Sequence, residues 1–268
     1  MSAAPAALTR VLALDTSTDR LSVALGAGGQ APLRTFRAEG GPQASASLIP
    51  AIRSLLDELD WPLATLDAIA FTHGPGAFTG LRTACAVVQG LAVAARPGGI
   101  PVLPISTLQA TAEVACRQWA AQGMPPGAPV LALLDARMDE VYAAWIAPQA
   151  AAEEALVGPV VGGPWLCTSE ALARTVAPWV AAAGTPWLAG NALAVYGERL
   201  TAHWPQTPCL AAWPDAAALL HLAPAAWRAG AAVAAADAQP VYVRDQVALT
   251  TEEREQRQRA QAVPGAPA

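Results

Sequence analysis

The sequence predicts an α/β protein made of two copies of one lobe, in which three strands precede alternating helices and strands. Three observations carry this expectation. Strand-like stretches at 11–14, 21–25 and 33–37 come before the first helical pattern. The stretch 66–95 reads as a strand, a glycine loop and a helix in succession. The run at 130–134 ends in Asp135 as the run at 11–14 ends in Asp15, so the pattern begins a second time.

Taken in order, 11–14 is a buried-type strand, and Leu21, Val23 and Leu25 alternate with smaller residues to give a second. Residues 26–30 supply a turn, and 33–37 completes an antiparallel meander. Leu48, Ile52, Leu55, Leu56 and Leu59 mark an amphipathic helix that Trp61-Pro62 ends. Leu66 and residues 68–71 form an apolar strand. His73-Gly74-Pro75-Gly76-Ala77-Phe78-Thr79-Gly80 is a tight turn, and Leu81, Cys85, Val88, Leu91 and Ala92 recur at helical spacing. A strand at 100–105 follows, then a helix over 107–121 with Ser106 as N-cap. This β-β-β-α-β-α-β-α order is that of the ribonuclease-H-like fold. Residues 123–129 read as a linker. The second copy has strands at 130–134, 141–146, 155–161 and 187–189, and helices at 169–182, 192–202 and 213–228. Two such lobes form the actin-like ATPase (ASKHA) architecture. The expected divisions are an N-terminal lobe over 1–108, a degenerate C-terminal lobe over 109–249, and a charged, mobile tail over 250–268.

Composition removes several function classes. All 16 basic residues of this 268-residue chain are arginine, which rules out a phosphate-loop lysine and Schiff-base chemistry. The net charge of −5 argues against extensive nucleic-acid contact. Cys85, Cys116, Cys167 and Cys209 are widely spaced without a CxxC pair, the pattern of reduced thiols. No charged n-region precedes the first strand, and the uncharged stretch 175–197 is cut by Pro178, Gly184, Pro186 and Gly190. A cytoplasmic protein with no membrane segment is expected.

The glycine loop, with Gly74, Pro75, Gly76, Phe78, Thr79 and Gly80, admits two readings: an anion site at a helix N-terminus, or a tight crossing of strand and helix. Asp15 and Thr16 stand where a nucleotide clamp would hold phosphate and magnesium, and Asp135 stands at the matching place in the second lobe. The second turn lacks glycine and adds Asp139 and Glu140, whose charges would repel a triphosphate. The clamp is therefore expected to be vestigial. His73, His203 and His221 are isolated in sequence, so a histidine metal site is not expected. The two apolar helices, through Leu48, Ile52 and Leu55 on the first and Thr83, Ala86, Val87 and Gly90 on the second, are the expected partner interface.

The segments VLALDTSTDRLSVAL (11–25), HGPGAFTGLRTACAVVQGLA (73–92), ISTLQA (105–110), DARMDEVYAAW (135–145) and PVYVRDQVA (240–248) resemble the TsaB (YeaZ) family in that order. The resemblance implies a non-catalytic accessory subunit with no cofactor or metal of its own. It implies pairing with a TsaD-type subunit that carries threonylcarbamoyl to N6 of adenosine 37 in tRNAs decoding ANN codons. A TsaE-type ATPase would join the complex, tRNA would be met only indirectly, and a homodimer is one state open to the chain without the partner. TsaD-type proteins carry an H-x-x-x-H metal motif where this chain has Thr107 and Thr111. A histidine frequent before the first long helix of TsaB proteins is replaced here by Ala44. One other reading remains open, an actin-like ATPase or small-molecule kinase using Asp15 and Asp135; a metallopeptidase fails for want of metal ligands.

Overall fold

The computed structural model describes residues 7–41, 44–124, 127–149 and 154–244. The tail expected over 250–268, and the far end of the 240–248 segment, lie outside them.

The first sheet contains β1 (Val11–Asp15), β2 (Arg20–Gly26), β3 (Arg34–Glu39), β4 (Ala68–Gly74) and β5 (Val102–Ser106), in the order β3-β2-β1-β4-β5. β1, β2 and β3 pair antiparallel, whereas β4 and β5 continue from β1 in parallel. The second sheet contains β6 (Val130–Asp135), β7 (Glu140–Pro148), β8 (Val157–Thr168), β9 (Trp187–Ala189) and β10 (Cys209–Leu210). Its order, β10-β9-β6-β7-β8, with β6, β7 and β8 antiparallel and β9 and β10 parallel, repeats the first. The protein therefore consists of two ribonuclease-H-like lobes in the ASKHA arrangement.

Helices α1 (Ala44–Glu58) and α2 (Phe78–Ala95) share the outer face of the first sheet. Leu12, Leu14, Leu48, Ile52, Leu55, Ala84 and Val88 make one core there. Helices α4 (Ser169–Ala183), α5 (Ala192–Tyr196) and α6 (Glu198–Thr201) cover the outer face of the second, over Leu131, Leu133 and Trp145. Between the sheets lie α3 (Thr107–Ala121) and α7 (Ala216–Arg228), in a core that takes Val11 and Ala13 from β1 and Val130, Ala132 and Leu134 from β6. Strand alternation explains the division, since successive side chains of β1 and β6 point to opposite faces.

The lobes exchange helices. α7 follows the second sheet in sequence yet packs on β1, β2, β4 and β5, while α3 reaches β6, β7 and β8. A division near residue 108 separates the sheets but not the helices. Glu113 of α3 fixes this crossing: it is fully buried, and its carboxylate accepts from the Leu156 and Val157 amides (2.8 and 3.2 Å) and from Arg117 Nε (2.7 Å). Burial pushes its carboxyl pKa up, against the opposing pull of Arg117.

Several elements differ from expectation. β8 runs twelve residues, past the expected end at 161, because Gly162, Gly163 and Pro164 lie inside it. A Cβ at Gly162 would overlap the Trp179 ring, so this glycine makes room for an aromatic pair, Trp165 on Trp179. The helix expected over 192–202 breaks at Gly197 (φ 49°) into α5 and α6. α7 begins at Ala216, not 213, because the Asp215 side chain accepts from the Ala217 amide as N-cap.

Candidate functional site

The cleft between the lobes is bounded by the turns that follow β1 and β6. Asp15 ends β1 with its carboxylate wholly buried. Its Oδ1 accepts from the Ser17 amide (3.2 Å), Ser17 Oγ (2.6 Å) and Thr72 Oγ1 of β4 (2.5 Å), whereas Oδ2 is buried without a partner. Burial pushes the Asp15 pKa up, and its hydrogen bonds only partly oppose this. Thr16 Oγ1 donates to the Gly80 carbonyl (2.7 Å), and the Ala77 amide donates to the Ser17 carbonyl (2.7 Å). The first turn and the glycine loop are thus bonded to each other.

Each glycine of the loop meets a different backbone segment. A Cβ at Gly76 would overlap the Ser17 carbonyl, and one at Gly80 the Thr16 carbonyl. Gly74 alone of the three has a left-handed φ, 127°, and abuts the Val241 carbonyl. Of the two readings of this loop, the tight crossing describes the geometry. The Ala77 amide at the N-cap of α2 has its acceptor in the first turn.

The second turn is also bonded internally. Asp135 Oδ1 accepts from the Arg137 amide (2.8 Å) and the Tyr196 hydroxyl (2.9 Å), and its own amide donates to Asn191 Oδ1 (2.9 Å). Burial and the Asp135 carboxylate push the Tyr196 pKa up to about 12, which keeps its hydroxyl a donor. Arg137, Met138 and Asp139 have consecutive positive φ values of 62°, 56° and 66°. Left-handed conformation costs a non-glycine residue about 1–2 kcal/mol, so three in a row persist only where the surroundings enforce them. The enforcing contacts are Ala136 N–H to the Glu140 carbonyl (3.0 Å), and Arg199, which forks onto Asp139 at 2.7 and 2.8 Å. The sequence-based argument from charge repulsion needs correction here. Asp135 pairs with Arg137, Asp139 with Arg199 and Glu140 with Arg244, so none of the three carboxylates is unpaired.

Between the two turns the cleft has a volume of about 520 Å³. Ser17, Phe78, Met138, Val195, Trp213 and Tyr242 are among its lining residues. Thr107 and Thr111, which stand at the metal-motif positions, are fully buried; Thr111 Oγ1 donates to the Thr107 carbonyl (2.8 Å). Among the described residues no three His, Cys, Asp or Glu side chains are grouped to hold a metal ion. Tyr196, Asn191, Thr72 and Arg244 complete the site and were missed in the sequence. Only Arg244 had a signal, the PVYVRDQVA segment.

The expected interface residues fall into two groups. Leu48, Ile52 and Leu55 are 0, 1 and 5 % exposed and belong to the core under α1, so in this conformation they cannot meet a partner. A stripe of leucines shows which face of a helix is apolar, not what covers it, and here the first sheet does. On α2, Ala86 and Gly90 are exposed and Thr83 and Val87 half-buried, flanked by Phe78 and by Val93, which is 68 % exposed. α2 is also long and apolar enough to cross a membrane by length and composition, but Leu81, Ala84, Cys85, Val88 and Ala92 pack into the core.

Residues 40–161 match the family model described as TsaD: tRNA N6-adenosine threonylcarbamoyltransferase. The tRNA threonylcarbamoyladenosine biosynthesis protein TsaB of Escherichia coli K12 is 30 % identical over 256 residues, covering 89 % of this chain and 96 % of that protein. The protein of the same name from Haemophilus influenzae is 40 % identical over 133 residues, about half of each chain. The solved structure of YeaZ from Pseudomonas aeruginosa is 39 % identical and superposes with a TM-score of 0.70, over 88 % of this chain and all of that one. With both lobes matched in sequence and in three dimensions, the chain belongs to the TsaB (YeaZ) family.

Proposed function

We propose that the chain serves the biosynthesis of threonylcarbamoyladenosine in tRNA as a subunit without catalytic activity, docking a TsaD-type partner on the outward face of α2. The observation that carries this reading is that face itself. Thr83, Ala86, Val87, Gly90 and Val93 form a shallow, apolar, small-residue surface on an 18-residue helix whose other side is fixed to the sheet. Small side chains let a second helix approach closely, and a rigid support lowers the ordering cost of association. The exposed side of α1, with Ile49, Pro50 and Arg53, borders it and would extend the contact.

The lack of catalysis is supported by the turns after β1 and β6. A nucleotide clamp needs free amides and carboxylates facing the cleft, whereas here both turns are bonded to the protein's own groups. In this reading the TsaD-type partner supplies the transferase chemistry and most contacts to tRNA, a TsaE-type ATPase joins the assembly, and the whole acts in the cytoplasm.

Mixing the purified chain with its cognate TsaD-type protein and measuring the mass of the complex tests the proposal. A stable heterodimer at micromolar concentration is expected, and Ala86→Glu should weaken it at least tenfold, about 1.4 kcal/mol. No association refutes the proposal, and pairing indifferent to Ala86→Glu moves the interface elsewhere. Calorimetry with magnesium-ATP tests the other half: micromolar binding abolished by Asp135→Ala would restore a working clamp and refute the non-catalytic reading.

A further inference from the structure

After α7 the chain does not remain on the lobe it covers. Val233 bridges to Val102 beside β5, and the Ala238 carbonyl then accepts from Cys85 Sγ (2.9 Å) and Gln89 Nε2 (2.8 Å) of α2. The Val241 amide donates to the His73 carbonyl at the end of β4 (2.7 Å). Tyr242 lies with its ring 5.0 Å from that of Phe78, and its hydroxyl accepts from Arg82 Nε (2.9 Å). All these contacts are to the first lobe. Two residues later, Arg244 is bonded to the second. Its Nη2 donates to Glu140 Oε2 (2.5 Å) and the Ala136 carbonyl (3.0 Å), and its Nη1 reaches Met138 Sδ (2.8 Å).

Arg244 therefore grips the turn that holds three consecutive left-handed residues. That turn has little support from glycine or proline, so its shape depends on what binds its ends. Arg244 is only 15 % exposed although it is among the last described residues, and Glu140 beside it is 32 % exposed. A charged pair drawn this far from water, with a second bond to a backbone carbonyl, holds its geometry better than an exposed pair. The line from Val241 to Arg244 forms part of the wall of the 520 Å³ cleft.

The geometry points to the segment from Ala238 to Arg244 as an interlobe strap along one wall of the cleft, with Arg244 as its latch on the strained turn. Release of Arg244 frees the turn and the strap together, so one side chain couples the two walls of the cleft.

Hydrogen exchange of the full-length protein, read by mass spectrometry, tests it. Arg244→Ala should speed exchange about tenfold at amides on both sides of the cleft: Ala136 and Glu140 in the second lobe, Ala77 and Val241 in the first. Strand-centre amides such as those of Leu12 and Leu133 should keep wild-type rates. A rise confined to Ala136–Glu140 would reduce Arg244 to a local turn contact and overturn the strap, as would no change. If Arg244→Ala loosens the strand centres as well, Glu140→Gln decides, because it removes the charge and leaves the Ala136 contact. A smaller two-sided rise upholds the latch, and unaltered exchange in that variant overturns it.

Discussion

Glycine-to-alanine changes at two positions of α2 should move stability in opposite directions. In a helix interior alanine is ordinarily better than glycine by about 1 kcal/mol, because glycine has more backbone entropy to lose. At Gly90 nothing lies within 4 Å of a new Cβ, so Gly90→Ala should stabilise by about 0.5–1 kcal/mol. At Gly80 the new methyl would overlap the Thr16 carbonyl, a backbone atom that cannot rotate away. The first turn must shift, which stretches the buried Thr16 Oγ1 to Gly80 bond and the Ala77 to Ser17 bond. Overpacking costs about 1–3 kcal/mol and each weakened bond about 1, so after the propensity gain Gly80→Ala should destabilise by about 2–4 kcal/mol. Urea unfolding monitored by circular dichroism measures both, with m unchanged if the unfolded states match. A Gly80→Ala protein as stable as wild type would refute the close crossing of loop and first turn. The Gly90 variant carries a further expectation: more stable alone, it should bind the TsaD-type partner less tightly, because the added methyl stands on the proposed docking surface.

Asp15→Asn tests whether Asp15 is a buried structural acid. Its native pKa is raised, so its stabilising contribution is full below the unfolded-state value and is lost as pH rises through the native one. The stability difference, variant minus wild type, should therefore grow in the variant's favour with rising pH. A difference that is flat across pH 3–8, measured by urea unfolding, would remove this role. Glu113→Ala leaves the Leu156 and Val157 amides and Arg117 Nε without their acceptor. It should destabilise by about 3 kcal/mol, the low end for a broken buried pair, because Arg117 can turn to water. Thermal unfolding checks it, and a change below about 1 kcal/mol would show that the α3 to β8 tie is dispensable. Tyr196→Phe removes one donor to Asp135 and should cost about 1 kcal/mol, while leaving partner binding unchanged in the same mass assay.

Much of the architecture was legible because buried strands announce themselves. Residues 11–14 and 130–134 are unbroken apolar runs, each ending in aspartate, and their sheets have the same strand order. The start of α3 was also readable, since Ser106 is a strong N-cap and its Oγ accepts from the Gln109 amide. Features that depend on distant partners were not. Gly162 and Gly163 have the composition of a turn, but the neighbouring Trp179 and Trp165 rings make them strand residues. β10 has two residues, too few for any periodicity. The crossing of α7 onto the first sheet depends on contacts with strands some two hundred residues earlier, and Arg244 meets a carboxylate 104 positions away.

The glycine loop shows where sequence reasoning stops for a physical reason. Three glycines before a helix do require that something approach the backbone closely, and something does. What composition cannot specify is the chemical identity of the approaching group, because a phosphate oxygen and a peptide carbonyl satisfy the same amide. Here the acceptor is the Ser17 carbonyl, brought in by the turn that Asp15 and Thr72 hold in place. An unpaired buried N–H is costly to leave, so the first turn satisfies the Ala77 amide as any other acceptor would. The glycines serve this crossing sterically, since a Cβ at Gly76 or Gly80 would meet the Ser17 or Thr16 carbonyl and push α2 off its seat.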